Sequence, residues 1–189
     1  MVRWWRRSTV MLGALAAMGC GPPSSRGVPS LDPDDIPAVE FEGLSPRSLR
    51  LKVVDKRDPR PDGSVETVEE VEATLAVLLK GANVNVVMDA KYELGVEIDY
   101  ADELVPEDIA DNCIQLLMSL SWRGRMLVQT QAAGCYEWRH LLGFYLGGDA
   151  SRAYEQGLEL ALSKLDKDVG RATALVAEYE EARRGRPPL

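Results

Sequence analysis

The sequence predicts one α+β domain, in which a mostly antiparallel sheet is covered on one face by two main helices in the order β-α-β-β-β-β-α. Two patterns predict this class. Apolar and polar residues alternate with a period of two in several short stretches, and apolar residues recur with the helical period in two longer ones. A strand–helix–strand start requires a crossover connection, expected to be right-handed. One sheet with both helices on a single face buries every apolar stripe.

Three strands are predicted in the first half of the chain. The first is indicated by Leu49, Leu51 and Val53, which alternate with residues of the opposite face. A short second strand begins at Val84. The third has the clearest alternation, with one apolar and one solvated face. Its apolar face is formed by Tyr92, Leu94, Val96, Ile98 and Tyr100.

The two predicted helices follow from apolar residues with helical spacing. The first has an apolar face formed by Val65, Val68, Val71, Leu75, Leu78 and Leu79. Ser64 or Thr67 is the expected cap, Thr67 as part of a capping box with Glu70, and Gly81 is the expected end. The last helix is predicted between residues 150 and 182, as one segment or two.

The segment 112–135 allows two interpretations. In the first, the chain is helical from just before this segment, and one helix face carries Ile109, Cys113, Leu116, Leu117 and Leu120. As a hairpin with its turn at residues 122–126, it pairs residues whose numbers add to 248, so that Cys113 lies opposite Cys135. Large apolar residues then face small ones on one side, and glutamines and serines gather on the other. We favour the hairpin, because opposed residues have α-carbons about 4.5–5.5 Å apart, within reach of a disulfide bond.

Residues 1–19 have the pattern of an export signal, with three arginines followed by an apolar run at 10–18 that is too short to span a bilayer. Residues 17–20, Ala-Met-Gly-Cys, resemble the lipobox of bacterial lipoproteins. In that family the signal is cut before the cysteine, which is then lipidated. The alternatives are a plain secretory signal and a twin-arginine signal. The resemblance implies that Cys20 carries acyl chains such as palmitate. Because Gly21 follows it in place of aspartate, the resemblance also implies anchoring in the outer membrane, on the periplasmic side.

The predicted organisation therefore has four parts. Residues 1–19 are the signal peptide, 20–47 are the lipidated cysteine and an extended tether, 48–184 are one periplasmic domain, and 185–189 are a disordered tail. The tether is predicted because it holds six of the eleven prolines. Removing the signal leaves 170 residues and changes the formal net charge from −8 to −11. This acidic balance argues against a nucleic-acid partner.

The element order, the strand end LRLKVVDKRD and the segment YELGVEIDY resemble small periplasmic lipoproteins of the YajG-like and lipopolysaccharide-assembly type. The resemblance covers residues 49–169. It implies a structural or transport-accessory role for an envelope partner and carries over no catalytic residue. A periplasmic location permits the bridge between Cys113 and Cys135, and the lipid accounts for Cys20. Closing a loop of this size stabilises a fold by roughly 3 kcal/mol.

Few residues are candidates for catalysis, and we predict neither an enzyme nor a bound metal or cofactor. His140 is the single histidine of the sequence, and Gly-x-Ser-x-Gly does not occur. The alternative function is a periplasmic hydrolase that uses carboxylates near one sheet edge, namely Asp99, Asp102, Glu103, Glu107 and Asp108. Three cations before the first helix could hold an anion at its N-terminus, namely Lys56, Arg57 and Arg60.

The segment 136–146 is the best candidate for an interaction site. It contains four of the ten aromatic residues that remain after removal of the signal, namely Tyr136, Trp138, Phe144 and Tyr145. Nearby glycines argue against a regular element here. The segment either folds back over the sheet as core or forms an exposed apolar patch for a protein partner or an acyl chain. The predicted function is a non-catalytic accessory in envelope assembly or transport, acting through protein or lipid contacts.

Overall fold

The computed structural model describes residues 28–61, 63–101, 113–135, 139–141, 144–146 and 150–184. A short 3₁₀ turn at Pro33–Asp35 comes first. The order is then β1 (Ser48–Asp55), α1 (Ser64–Gly81), β2 (Asn85–Val86), β3 (Tyr92–Tyr100), β4 (Cys113–Trp122), β5 (Arg125–Cys135), β6 (Arg139–Leu141), β7 (Phe144–Leu146) and α2 (Ala150–Arg184). The predicted α+β class is confirmed. The predicted disordered tail at 185–189 lies outside the described residues.

The main sheet has five strands in the order β2-β1-β3-β4-β5. The two longer ladders, β3–β4 and β4–β5, are antiparallel. The two ladders that β1 makes, with β2 and with β3, are parallel. The sheet is therefore mixed, because β1 and β3 are joined through α1 and enter the sheet in the same direction.

The core lies between one face of this sheet and the two helices. Along β3, buried and half-buried residues alternate as the sequence predicts. β4 repeats the pattern, with every second residue from Ile114 to Trp122 buried in the core. The buried residues of α1 and α2 belong to the same core cluster. α2 is one continuous helix of 35 residues and about 52 Å. The opposite face of the sheet is half-exposed and carries most of the polar strand residues.

The predicted caps of α1 are only partly correct. Gly63, with φ 79°, is the N-cap residue, and it provides no side-chain cap. Thr67 lies inside the first turn, where its hydroxyl donates to the Gly63 carbonyl, so the predicted capping box is wrong. The helix ends at Gly81 as predicted. However, the left-handed residue is Asn83, with φ 58°. Its N–H and that of Val84 bond back to the last turn, which is the Schellman motif.

The segment 113–135 is a hairpin, as favoured above, and its pairing follows the predicted register from Cys113 to Leu120. The predicted five-residue turn is wrong. Arg123 and Gly124 form a two-residue turn with φ 49° and 77°, and Trp122 pairs with Arg125. Two residues with positive φ match the twist of the flanking strands. The shorter turn leaves one extra residue in β5, and a register shift after Leu120 absorbs it as a bulge.

Residues 28–47, here named the N-terminal segment, are packed against the domain. Five of their apolar side chains are buried in the main core, namely Leu31, Ile36, Val39, Phe41 and Leu44. The prediction of an extended tether over 20–47 is therefore wrong for this part. The sequence misleads because prolines and acidic residues separate apolar side chains that follow neither the helical nor the strand period. Burying a large apolar side chain contributes roughly 1.5–3 kcal/mol, so this segment is part of the fold.

Polar contacts hold the N-terminal segment in the groove between the two helices. At one end, the Ser30 N–H donates to Ser151 Oγ of α2 at 2.9 Å, and the Leu31 N–H donates to Glu70 Oε1 of α1 at 2.9 Å. Farther along, the Phe41 N–H donates to Asp166 Oδ1 at 2.7 Å. The segment thus runs parallel to α2, and its first described residues lie where α2 begins.

β6 and β7 form a separate antiparallel pair, with His140 opposite Tyr145 and Leu141 opposite Phe144. The expectation that glycines exclude a regular element from this segment is therefore wrong. Residues 139–141 and 144–146 pair as strands although glycine stands at position 143.

Candidate functional site

Cys113 and Cys135 form the disulfide bond that the sequence predicts, with their α-carbons 4.1 Å apart. Cys113 begins β4, Cys135 ends β5, and the two residues are directly paired. The Cys135 N–H donates to Gln156 Oε1 of α2 at 2.8 Å. This N–H therefore points away from β4 and makes no bond to it. Such a non-hydrogen-bonded pair is the kind that brings α-carbons closest in an antiparallel ladder. The bridge therefore fastens the open end of the hairpin.

The aromatic candidates are only partly described. Phe144 and Tyr145 belong to β7, opposite Leu141 and His140 of β6. Tyr136 and Trp138 lie outside the described residues, as does Cys20. A contact role for the four aromatic residues therefore stays a prediction.

Of the five carboxylates proposed for a hydrolase, only Asp99 belongs to the described residues. It lies half-buried near the end of β3, and its Oδ1 accepts the N–H of Tyr100 at 2.8 Å. Among the described residues, no group of three or more His, Cys, Asp or Glu side chains is placed to hold a metal ion.

Of the three cations considered for an anion site before α1, Arg57 is already paired with Asp55. Its Nη2 lies 2.6 Å from Asp55 Oδ2 and its Nε lies 2.9 Å from Asp55 Oδ1, which is a two-point contact. The two side chains are 0% and 3% exposed, respectively. Ser64 Oγ donates to the same carboxylate at 2.7 Å. Lys56 and Arg60, in contrast, are exposed.

The pKa values at this buried pair follow from burial and from partners that act in opposite directions. Burial raises the pKa of Asp55. The effect of burial is outweighed by hydrogen bonds from the Arg57 side chain, from Ser64 and from the Arg57 amide, and by the guanidinium charge. The pKa of Asp55 is therefore lowered below 3.8. Burial lowers the pKa of Arg57, and the Asp55 carboxylate more than offsets this. Burial raises the pKa of Tyr154, which is hydrogen-bonded to Arg57, to about 12. The pair is therefore fully ionised at neutral pH.

This ionic cluster joins three elements of the fold. Asp55 is the last residue of β1, Ser64 is the first residue of α1, and Tyr154 lies in the second turn of α2. Asp55, Arg57 and Tyr154 are buried and bonded to their neighbours, so the arrangement is suited to fixing the elements rather than to binding a solute. The sequence contains one signal for it. Asp55 continues the inward positions Leu49, Leu51 and Val53, where a charged residue requires a buried partner.

The half-exposed face of the sheet, here named the open face, carries a row of polar side chains. Arg50 of β1 forms an ion pair with Glu93 of β3, its Nε lying 2.8 Å from Glu93 Oε2. Gly95 lies opposite Ser119, and a Cβ at Gly95 would come within 2.9 Å of the Ser119 hydroxyl. No side chain projects from Gly95, so the open face is flat at this point and polar side chains lie around it.

The free edge of the sheet at β5 is partly covered by side chains of α2. Lys164 Nζ donates to the Gln131 carbonyl at 3.0 Å, and Gln156 accepts the Cys135 N–H. These contacts occupy backbone groups that another strand would need for pairing. Strand addition at β5 is therefore disfavoured.

The end of the sheet at the turn between β4 and β5 carries an aromatic and charged cluster. Trp122 and Tyr179 make an edge-to-face contact at 5.9 Å, and the Arg123 guanidinium lies 4.8 Å from the Trp122 ring. Arg123 and Lys91 each lie 3.7 Å from Glu180. Large apolar side chains are exposed at this end, with Met88 85% and Met126 62% exposed.

None of the helices in the described part of the chain is both long enough and apolar enough to cross a membrane.

Comparisons with known proteins give a distant likeness. No family model and no curated protein matches the chain. It is similar to the crystal structure of a Xanthomonas campestris protein assigned to the family DUF330, with 15% identity, a TM-score of 0.41, and coverage of 71% of this chain and 87% of that one. It is also similar to a candidate lipoprotein from Caulobacter crescentus, with 15% identity, a TM-score of 0.28, and coverage of 73% and 93%. Neither description names an activity or a ligand.

Proposed function

We propose that this chain is an envelope lipoprotein, held in the outer membrane by a lipid on Cys20, whose periplasmic domain acts without catalysis. The observation that carries the proposal is the disulfide bond. It uses Cys113 and Cys135, and the one remaining cysteine of the sequence stands at the end of the apolar run and completes Ala17-Met18-Gly19-Cys20.

The bridge also bears on the compartment. Disulfide bonds form and persist in oxidising spaces such as the bacterial periplasm, and they are rare in the cytosol. Each acyl methylene buried in a bilayer contributes about 0.8 kcal/mol, so several chains on one residue give a stable anchor. Export, lipidation and an oxidised pair are therefore consistent with one another.

We propose that the domain serves envelope assembly or transport through contacts with a protein or a lipid. The buried ion pair supports this role, because a domain fixed internally by Asp55 and Arg57 has a defined surface to present. The candidate contact residues remain Tyr136, Trp138, Phe144 and Tyr145. Trp138→Ala and Phe144→Ala should weaken association with an envelope partner and leave the melting temperature nearly unchanged. If the segment is core, the same changes should cost roughly 3–5 kcal/mol of stability.

The anchor is tested by Cys20→Ala in the expressing bacterium. The variant should no longer incorporate a fatty-acid probe and should keep its signal peptide. Gly21→Asp is the matched control, since it retains the modified cysteine. It should label normally and, if the outer-membrane assignment is correct, move to the inner-membrane fraction. Labelling of the Cys20→Ala protein would refute the proposal.

A further inference from the structure

The domain has two ends along the strand direction. The bridged end contains the disulfide, Gly63 and Ser151. The turn end contains Arg123, Gly124, Met88 and Tyr179. From Cys113 to Trp122, β4 spans about 31 Å between these ends. The position of the chain's entry into the fold determines which end can approach the membrane.

The first described residues lie at the bridged end. Val28 packs against Gly63, where an added Cβ would come within 2.3 Å of Val28 Cγ2. The Ser30 N–H donates to Ser151 Oγ at 2.9 Å. The start of α2 crosses β5 at Gly134, where an added Cβ would lie 1.8 Å from the Ala153 carbonyl oxygen. Gly134 pairs with Ile114, next to the disulfide.

The chain between the proposed anchor and this entry point is short. Seven residues lie between Cys20 and Val28, and the eight residue-to-residue steps of a fully extended chain span at most about 29 Å. With the turn end against the bilayer, Val28 would stand about 31 Å or more above the surface. The two lengths are nearly equal, so that orientation would require a fully stretched tether, whereas the opposite orientation places no such demand on it.

The charges of the long sides oppose a flat orientation. Away from the bridged end, α1 exposes Glu69 and Glu72 along one side, and β3 places Glu97 on the open face. The processed chain has a formal net charge of −11. An anionic lipid surface repels such sides, and presenting one end brings the fewest of them close to it.

We propose that the bridged end is the membrane-facing surface of the domain, and that the turn end, with Met88, Met126 and Tyr179, points away from the bilayer. This inference rests on the proposed lipid anchor. It also places the Trp122–Tyr179 cluster on the side open to the periplasm.

The test measures the distance of two sites from the lipid surface. With Cys20 lipidated and the other cysteines bridged, one introduced cysteine provides one thiol for a nitroxide label. Glu66→Cys labels the bridged end, and Met88→Cys labels the turn end. Both native residues are exposed. Each lipidated full chain is reconstituted in vesicles of phosphatidylethanolamine and phosphatidylglycerol that contain a gadolinium-chelating lipid.

We expect gadolinium to enhance relaxation several-fold more for the label at residue 66 than for that at residue 88. A water-soluble relaxing agent should reach both labels equally. Insertion of about ten Gly and Ser residues after Ser25 lengthens the tether by about 35 Å, and the difference should then decrease. Equal or reversed enhancement with the natural tether would overturn the orientation. A chain that fails to float with the vesicles would instead refute the lipid anchor.

Discussion

Replacement of Arg57 by methionine should be among the most damaging single changes in the domain. The side chain is 0% exposed and makes a two-point contact with Asp55, which is itself 3% exposed. Methionine fills similar space but leaves a buried carboxylate with Ser64 as its remaining side-chain donor. Breaking a buried pair in this way costs about 3–5 kcal/mol, a large part of the stability of an ordinary domain.

The pH dependence separates this cause from a simple loss of packing. In the wild type the pKa of Asp55 is lowered, so its contribution to stability is present above about 3.8 and is lost as the pH falls through the folded-state value. Without Arg57, burial raises the pKa of Asp55 above the unfolded value. Acidification then protonates the folded form first and stabilises it. The difference in stability between wild type and Arg57→Met should therefore narrow as the pH falls from 7 towards 3.

The assay is urea unfolding followed by circular dichroism at several pH values. Asp55→Leu combined with Arg57→Met is the control, because replacing both partners by apolar residues is often neutral. The double variant should recover most of the lost stability and should not show the narrowing. A loss of less than about 1 kcal/mol in Arg57→Met would show that the pair is not a buried ionic contact. A stability difference between wild type and Arg57→Met that stays constant with pH would show the same.

Three further changes test other parts of the fold. Gly134→Ala should destabilise the domain by about 2 kcal/mol or more in a thermal melt, because the added Cβ would overlap the Ala153 carbonyl. Gly81→Ala is the control, since there is open space around Gly81, and it should be neutral or stabilising. Asp166→Ala should cost about 1–3 kcal/mol through the lost Phe41 N–H contact, and a result equal to that of the exposed Asp168→Ala would contradict the packing of the N-terminal segment. Reduction of the disulfide should cost about 3 kcal/mol, measured as a shift in the urea midpoint, and an unchanged midpoint would show that the bridge does not stabilise the fold.

The parts of the fold predictable from the sequence are those in which a period repeats. β3 and β4 alternate buried and half-buried residues over nine or ten positions, so one face and one register satisfy the whole pattern. The opposition of Cys113 and Cys135 follows from that register. Near the turn the pattern is too short to choose between a five-residue turn and a two-residue turn with a bulge, and the prediction there was wrong.

The N-terminal segment could not be predicted because its shape is set by its neighbours. Phe41 and Leu44 fill a groove that exists only once α1 and α2 are in place, and their spacing has no intrinsic period. The same holds for Arg57, which belongs to a loop by composition. Its burial depends on Tyr154, about a hundred residues away in the sequence. Long-range contacts of this kind leave no local pattern.

The central claim is that this chain is an envelope lipoprotein attached through Cys20. The most direct measurement is the intact mass of the protein extracted from the membranes of the organism and alkylated without reductant. The account predicts a chain that begins at Cys20, carries the added mass of acyl chains and takes up no alkylating reagent at Cys113 or Cys135. A chain that keeps residues 1–19, or that begins elsewhere without acyl mass, would contradict it.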